Sequence, residues 1–269
     1  MEFPPPQRLT LPDGRNISYA IFGDTTTTTT TTSSSSSLSK TIFYHHGFPS
    51  SRNEAFYLSS AASAHGIRLI SIDRPGHGFS SAQPGRMILD SAADVEMLAA
   101  HLGIKSYAVL GVSGGAPYAL ACAWRNMSSS GSSNDGRDRV GSRCIGIATV
   151  SGLYPASLGL KGILPITRLA FFVAAYLSQG LVSRAMRWAV GSADFETSRK
   201  RFGNTIKSSR PREDWDAWMK YPDFQSALAA GVVGAFEGEG LGGGVSSLFL
   251  SFPFLFSLPL PLPLSLPLS

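Results

Sequence analysis

The sequence contains no histidine after position 101, so a histidine base cannot come from its C-terminal part. All five histidines lie at or before that position: His45, His46, His65, His77 and His101. Cysteine is also scarce. The two that occur, Cys122 and Cys144, fall in a predicted helix and a predicted strand. We therefore expect buried, reduced thiols rather than a disulfide or a metal site, and we expect no metal and no cofactor.

Long runs of one charge are absent as well. The net charge is +5, and the densest basic run is only three residues long, at positions 199–201. This pattern argues against a nucleic-acid partner, because no block resembles a basic arm. Residues 1–6 lack the basic and apolar regions of a signal peptide, which predicts a cytoplasmic protein. The oligomeric state is left open by the sequence.

No uninterrupted apolar run is long enough to span a membrane. Residues 162–182 come nearest, but Pro165 and Arg168 interrupt them, which favours a buried helix. Residues 241–269 contain no charged residue, and most of their end is Leu, Pro, Phe and Ser. Repeated proline excludes a regular helix or central strand and argues against a membrane anchor.

The composition of residues 241–269 predicts a low-complexity, disordered tail. Leu, Pro, Phe and Ser share pyrimidine-rich codons, as a translated tract before a splice acceptor would give. Val245-Ser246 could be encoded by GTG-AGT, which resembles a splice donor. We hypothesise that residues 245–269 are an intron read as coding sequence, which would end the chain before the last part of its domain.

The remaining chain alternates strand and helix patterns. A hairpin is predicted around Pro12-Asp13-Gly14, followed by four apolar strands separated by helices. Such strands indicate a mostly parallel sheet covered on both faces. Polar insertions are predicted at about residues 25–39 and 127–142, and aromatic-rich helices at residues 155–236.

The strongest motif is Gly111-Val112-Ser113-Gly114-Gly115, which follows an apolar strand and precedes a helical segment. This is the G-x-S-x-G nucleophile elbow in the strand-turn-helix context that supports the assignment. The tight turn lifts the serine hydroxyl above the sheet. Glycine on both sides avoids side-chain clashes there.

Two further motifs occupy equivalent strand ends: His46-Gly47-Phe48-Pro49 and Asp73-Arg74-Pro75-Gly76-His77-Gly78. With the elbow, they resemble the α/β-hydrolase superfamily, in its capped branch with a serine nucleophile. The resemblance implies an α/β-hydrolase core at residues 8–154, a helical cap at residues 155–236 and missing C-terminal strands. It also implies a small apolar acyl substrate.

In this superfamily, dehalogenases and epoxide hydrolases have aspartate at the elbow, whereas serine implies acyl transfer through an acyl-enzyme. Ser113 matches the nucleophile. The N–H of Gly114 would bind the oxyanion, since it follows the nucleophile at a helix N-terminus. By resemblance, the N–H of Phe48 would supply the second hydrogen bond to the oxyanion.

The usual order of such a triad is serine, acid and then histidine, and this sequence departs from it. Later carboxylates exist, but none follows a predicted buried strand: Asp194, Asp214, Asp216, Asp223, Glu237 and Glu239. His77 is a possible substitute base, although the resemblance gives its position a structural role. The alternative function is therefore a catalytically inactive, truncated hydrolase-fold protein that at most binds an apolar ligand.

Overall fold

The computed structural model of the chain describes residues 2–24, 40–128, 141–152, 194–209 and 212–237. The predictions for residues 25–39, 129–140, 155–193 and 241–269 lie outside these described residues. The division into core, cap and tail therefore stays a prediction.

Six strands form one sheet in the order β1-β2-β4-β3-β5-β6. β1 and β2 pair antiparallel, as do β2 and β4, whereas the β3–β4, β3–β5 and β5–β6 pairs are parallel. The mostly parallel sheet predicted from the sequence is thus confirmed. The strand bounds are β1 Gln7–Thr10, β2 Asn16–Gly23, β3 Lys40–His45, β4 Ile67–Ile72, β5 Ser106–Val112 and β6 Arg143–Val150.

The first two strands form the predicted hairpin. Its turn is closed by a 2.7 Å hydrogen bond from the Leu11 N–H to the Arg15 carbonyl. Gly14 has φ of 83°, a left-handed conformation that glycine adopts without a side-chain clash. The Pro-Asp-Gly signal therefore identified the turn of the hairpin, and the structure adds its register, in which Leu9 pairs with Ile17.

Helices cover both faces of the sheet, and none of those described is long and apolar enough to cross a membrane. A 3-10 helix at Arg52–Leu58 follows β3, and a short 3-10 turn at Ser113–Gly115 follows β5. The α-helices are α1 Ser59–Ala64, α2 Asp90–His101, α3 Ala116–Ser128, α4 Phe195–Ser209, α5 Arg212–Lys220 and α6 Pro222–Ala235.

The core has two parts, one on each face of the sheet. On one face, Phe43 and Val109 pack with Val95 and Leu98 of α2. On the other, Tyr44 and Leu69 pack with Ala55 of the 3-10 helix. Both cysteines are buried and unpaired, as expected from the sequence. The strand ends that carry the three motifs thus project from a sheet with two packed faces.

Helix α6 packs against the 3-10 helix that follows β3. Glycines allow this close approach, since a Cβ built on Gly231 would clash with the Ser50 hydroxyl oxygen. One built on Gly234 would lie 3.0 Å from the Asn53 Nδ2. The helix therefore supports the segment from which the Glu54 carboxylate reaches the loop after β3.

The prediction that β6 is a buried strand is wrong for the described part of the chain. Only Cys144 is buried, whereas Ile145 is 66% exposed and Val150 is 50% exposed. Apolar side chains of the adjacent helix α3 are exposed as well: Leu120, Trp124 and Met127. An apolar sequence predicts a strand, but its burial depends on what covers it, and β6 lies at the edge of the sheet formed by the described residues.

β6 carries no charge after Arg143, and an exposed edge strand of this kind favours intermolecular strand pairing. Replacing Ile145 by lysine is therefore expected to increase the monomeric fraction several-fold, as measured by size-exclusion chromatography with light scattering. A matched control is Met219→Lys, because Met219 is also exposed, at 59%, but lies on α5. Equal monomeric fractions in both variants and the unchanged chain would contradict this role of β6.

Candidate active site

Ser113 lies where the sequence predicted it, between the end of β5 at Val112 and the start of α3 at Ala116. Its φ of 48° is left-handed, a conformation uncommon for a residue with a side chain. Such strain at a strand-to-helix turn is characteristic of positions where a fold presents a functional side chain. The residue is half-buried, so the turn leaves part of it accessible.

The glycines around Ser113 are required by close backbone contacts. A Cβ built on Gly111 would lie 2.5 Å from the Gly115 carbonyl oxygen. A Cβ built on Gly115 would lie 2.7 Å from the carbonyl carbon of His45, at the end of β3. Backbone atoms cannot move aside as a flexible side chain can. The turn therefore brings α3 against the neighbouring strand only because both positions lack side chains.

The loop after β3 lies directly beside the serine turn. A Cβ built on Gly47 would be 3.6 Å from the Ser113 Cβ, and one built on Gly114 would be 3.6 Å from the Phe48 nitrogen. The structure therefore brings together all three residues that the sequence suggested: Ser113, Phe48 and Gly114.

The Gly47 peptide groups are held from several sides. The Gly47 N–H donates to Glu54 Oε1 at 2.9 Å, and this oxygen also accepts a 2.7 Å hydrogen bond from the Tyr44 hydroxyl. The Gly47 carbonyl accepts from Arg74 Nη2 at 2.7 Å and lies 2.8 Å from His46 Nδ1. Glu54 and Arg74 were missed as site residues in the sequence. Arg74 belongs to a sequence motif, but no local pattern reveals which loop its guanidinium reaches.

Both ring nitrogens of His46 form hydrogen bonds to the backbone near this loop. Since a carbonyl only accepts, Nδ1 carries the hydrogen, which leaves Nε2 to accept from the Arg74 N–H at 3.2 Å. Burial, followed by the nearby Arg74 charge, holds the pKa of His46 well below 6.5. His46 is therefore neutral, with both nitrogens occupied, and is not placed to act as a base.

His77 is fully buried close to the candidate oxyanion site, with its ring centroid 6.1 Å from that of Phe48. Its Nδ1 lies 3.4 Å from the Pro75 carbonyl, and burial and Arg74 hold its pKa well below 6.5. Within the described residues, no hydrogen bond joins the Ser113 hydroxyl to His77, to another histidine or to a carboxylate.

Asp73 joins the end of β4 to the segment that follows β3. Its carboxylate accepts from the Arg52 N–H at 2.7 Å and from Arg52 Nη1 at 2.9 Å. Burial raises the pKa of Asp73, while Arg52 acts in the opposite direction. Among the later carboxylates, Asp194 caps α4 through the Thr197 N–H, and Glu237 lies 3.8 Å from Arg52 Nη2. Both of these contacts are with groups other than histidine.

Comparisons with known proteins agree with this geometry. Residues 40–131 match the family model described as alpha/beta hydrolase fold. The epoxide hydrolase CorEH has 16% identity and a TM-score of 0.50, over 86% of this chain and 74% of its own. No curated protein sequence matches the chain significantly.

Two other solved structures are similar at lower scores. An alpha/beta hydrolase fold protein from Nakamurella multipartita has 18% identity and a TM-score of 0.47, over 92% of this chain and 74% of its own. An esterase from Exiguobacterium antarcticum has 15% identity and a TM-score of 0.45, over 93% and 73%. At such identities the likeness concerns the fold, and function must be argued from the site.

Proposed function

We propose that this chain, which belongs to the α/β-hydrolase superfamily, carries an acyl-transfer site in which Ser113 is the nucleophile. The observation that carries the proposal is the left-handed Ser113, at φ of 48°, between a parallel strand and a helix. Serine at this position favours a carboxylic ester or related small, apolar acyl substrate. An aspartate at the elbow would instead have favoured epoxide or haloalkane chemistry.

In the proposed reaction the Ser113 oxygen attacks the ester carbonyl carbon and its proton passes to solvent. The carbonyl oxygen becomes an oxyanion, which the N–H groups of Phe48 and Gly114 stabilise. The bond to the leaving group then breaks, which leaves an acyl group on Ser113. The proximity of Phe48 N to Gly114 supports this assignment, because two N–H groups must converge on one oxygen.

The sequence has no histidine after Ser113, and this absence limits the rate. An oxyanion site and substrate binding without a working triad retain roughly 10³–10⁴-fold acceleration over water. An ester with a good leaving group needs no proton for departure and can still acylate the serine. Loss of the acyl group needs an activated water, so the acyl-enzyme is expected to accumulate.

The test is intact-protein mass spectrometry after incubation with 4-nitrophenyl acetate, followed by peptide mapping. We expect one acetyl group on Ser113, and none at this position in Ser113→Ala. Ser106→Ala, at the opposite end of β5, is the matched control and should acetylate like the unchanged chain. Equal acetylation of the unchanged chain and Ser113→Ala would contradict the proposal.

The second candidate is an inactive hydrolase-fold protein that binds an apolar ligand without acyl transfer. The missing histidine favours it, as does the absence, within the described residues, of a hydrogen bond from Ser113 to a histidine. This candidate predicts that Ser113 stays unmodified in the same experiment. The mass of the Ser113 peptide therefore separates the two functions.

A further inference from the structure

We propose that Arg74 is a positioning residue for the oxyanion site, joining the Gly47–Phe48 peptide to the serine turn through one guanidinium. The inference rests on the proposed function of Phe48 and Gly114. It adds a residue that touches neither the substrate nor the reacting atoms. Its contacts are to the far sides of the backbone segments that would bind the oxyanion.

The first contact acts through a single planar peptide group. The Gly47 carbonyl and the Phe48 N–H belong to the same peptide, so fixing the direction of one fixes the other. Arg74 Nη2 donates to the Gly47 carbonyl at 2.7 Å. On the other side of Gly47, the Gly47 N–H donates to Glu54 Oε1 at 2.9 Å. The Phe48 N–H is thereby aimed before any substrate arrives.

The same contact strengthens the Phe48 N–H as a donor. A charged donor on a carbonyl makes a shorter and stronger hydrogen bond than a neutral one. It draws electron density through the amide, which makes the N–H at the other end more acidic, and linked bonds of this kind reinforce each other by about 10–30%. His46 Nδ1 lies 2.8 Å from the same carbonyl and adds a second donor.

The second contact ties this peptide to the nucleophile turn. Arg74 Nη1 donates to the Gly114 carbonyl at 3.2 Å. The planar fork of a guanidinium holds two acceptors in fixed relative positions, which a lysine ammonium cannot do. Arg74 therefore sets the spacing between the Phe48 loop and the Gly114 turn. Convergence of their N–H groups on one oxygen depends on that spacing.

Packing alone does not explain why an arginine occupies this buried position. The side chain is 1% exposed, and its guanidinium lies 5.1 Å above the Tyr118 ring. Desolvating a charge costs free energy that an apolar residue of similar size would avoid. What arginine adds at this position is two directed donors, and both reach carbonyls of the proposed oxyanion segments.

Arg86 provides a matched control. It is also buried, and its guanidinium lies 5.2 Å above the same Tyr118 ring. Its hydrogen bond to the Tyr118 hydroxyl does not involve the oxyanion segments. Arg86→Met therefore removes a buried charge from the same ring but leaves both Arg74 contacts in place.

The first readout is the rate at which 4-nitrophenyl acetate acetylates Ser113, measured at several ester concentrations. Arg74→Met is expected to lower the limiting rate about 10- to 100-fold, because small misplacements in a site have effects of this size. The half-saturating ester concentration should stay unchanged. Arg74→Lys, which reaches one carbonyl at a time, should be intermediate, and Arg86→Met should react like the unchanged chain.

The second readout needs no chemistry and remains available if Arg74→Met does not fold. The sequence contains two Gly-Phe pairs, Gly47-Phe48 and Gly78-Phe79. Labelling glycine carbonyls with ¹³C and phenylalanine nitrogens with ¹⁵N therefore isolates two amide signals by nuclear magnetic resonance. In Arg74→Lys the Phe48 nitrogen signal should move upfield, and in Arg86→Met it should stay in place.

The outcomes separate the two levels of the argument. Equal acetylation rates in Arg74→Met and Arg86→Met, or an unmoved Phe48 signal in Arg74→Lys, would overturn the role of Arg74 alone. Absence of acetyl on Ser113 in the unchanged chain would overturn the proposed function and this role with it. Slower acetylation together with a shifted Phe48 signal is the result that supports the proposal.

Discussion

Replacing Gly115 by alanine is expected to lower the free energy of unfolding by about 3 kcal/mol or more, as overpacking against fixed backbone does. The added methyl group would lie 2.7 Å from the His45 carbonyl carbon and 2.9 Å from the His46 carbonyl oxygen. These atoms end β3 and cannot rotate away. The serine turn must therefore shift or the helix after it must separate from the sheet.

Urea unfolding monitored by circular dichroism measures this effect. Gly146→Ala is the matched control, because a Cβ built on Gly146 has no neighbour within 4 Å. That substitution should change the free energy of unfolding by no more than about 0.5 kcal/mol. Equal unfolding midpoints for Gly115→Ala and Gly146→Ala would show that the close approach at the serine turn is not a constraint.

Lowering the pH from 7.5 to 5.5 is expected to remove about 4 kcal/mol of stability through three buried histidines. Burial, with Arg74 and Arg86 nearby, lowers the pKa of His45 to about 3. The pKa values of His46 and His77 are also held well below 6.5, mainly by burial. These histidines stay neutral in the folded chain, whereas in the unfolded chain they gain protons as the pH falls through about 6.5. Their contribution to the free energy of unfolding is therefore complete well above pH 6.5 and is lost as the pH falls from there toward their folded pKa values.

Urea midpoints at a series of pH values test this prediction. His77→Gln should reduce the pH dependence by about one third, since one of three linked protons is removed. Asp73 acts in the opposite direction, because burial raises its pKa and the folded state then holds a proton more tightly as the pH falls. A stability that is constant between pH 7.5 and 5.5 would contradict the burial of these histidines as neutral rings.

Much of the fold followed from local sequence. Pro12-Asp13-Gly14 identified the hairpin because a turn of this kind needs a left-handed glycine, and Gly14 has φ of 83°. The elbow was found from Gly111 and Gly115. Both glycines are visible in the local sequence, although Gly115 is required by the backbone of a distant segment, at His45 and His46. The mostly parallel sheet followed from the alternation of apolar strands and helices, whereas the order of its strands came from the structure.

What the sequence did not reveal depends on distances between segments. The exposure of β6 depends on its place at the sheet edge, which an apolar strand pattern does not encode. The contacts of Arg74 depend on where three loops meet, and its motif suggested only a turn. Glu54 lies in a helical segment that gave no chemical signal, yet its carboxylate holds the Gly47 N–H.

The backbone around Ser113 is arranged as an acyl-transfer site would need. The sequence, however, has no histidine after Ser113 that could act as its base. Ser113 is strained and accessible, and the Phe48 and Gly114 peptides are held beside it. Burial holds the pKa values of His45, His46 and His77 below the usual range, and both nitrogens of His46 are engaged by the backbone. The account therefore predicts acylation without turnover.

The most direct measurement of that claim is the amount of 4-nitrophenol released over time from excess 4-nitrophenyl acetate, per chain present. The account predicts a burst that approaches one equivalent and then nearly stops, and no burst in Ser113→Ala. Continued linear release of many equivalents that disappears in Ser113→Ala would contradict it. That result would mean that a base reaches Ser113, and His77→Gln would then identify whether His77 supplies it.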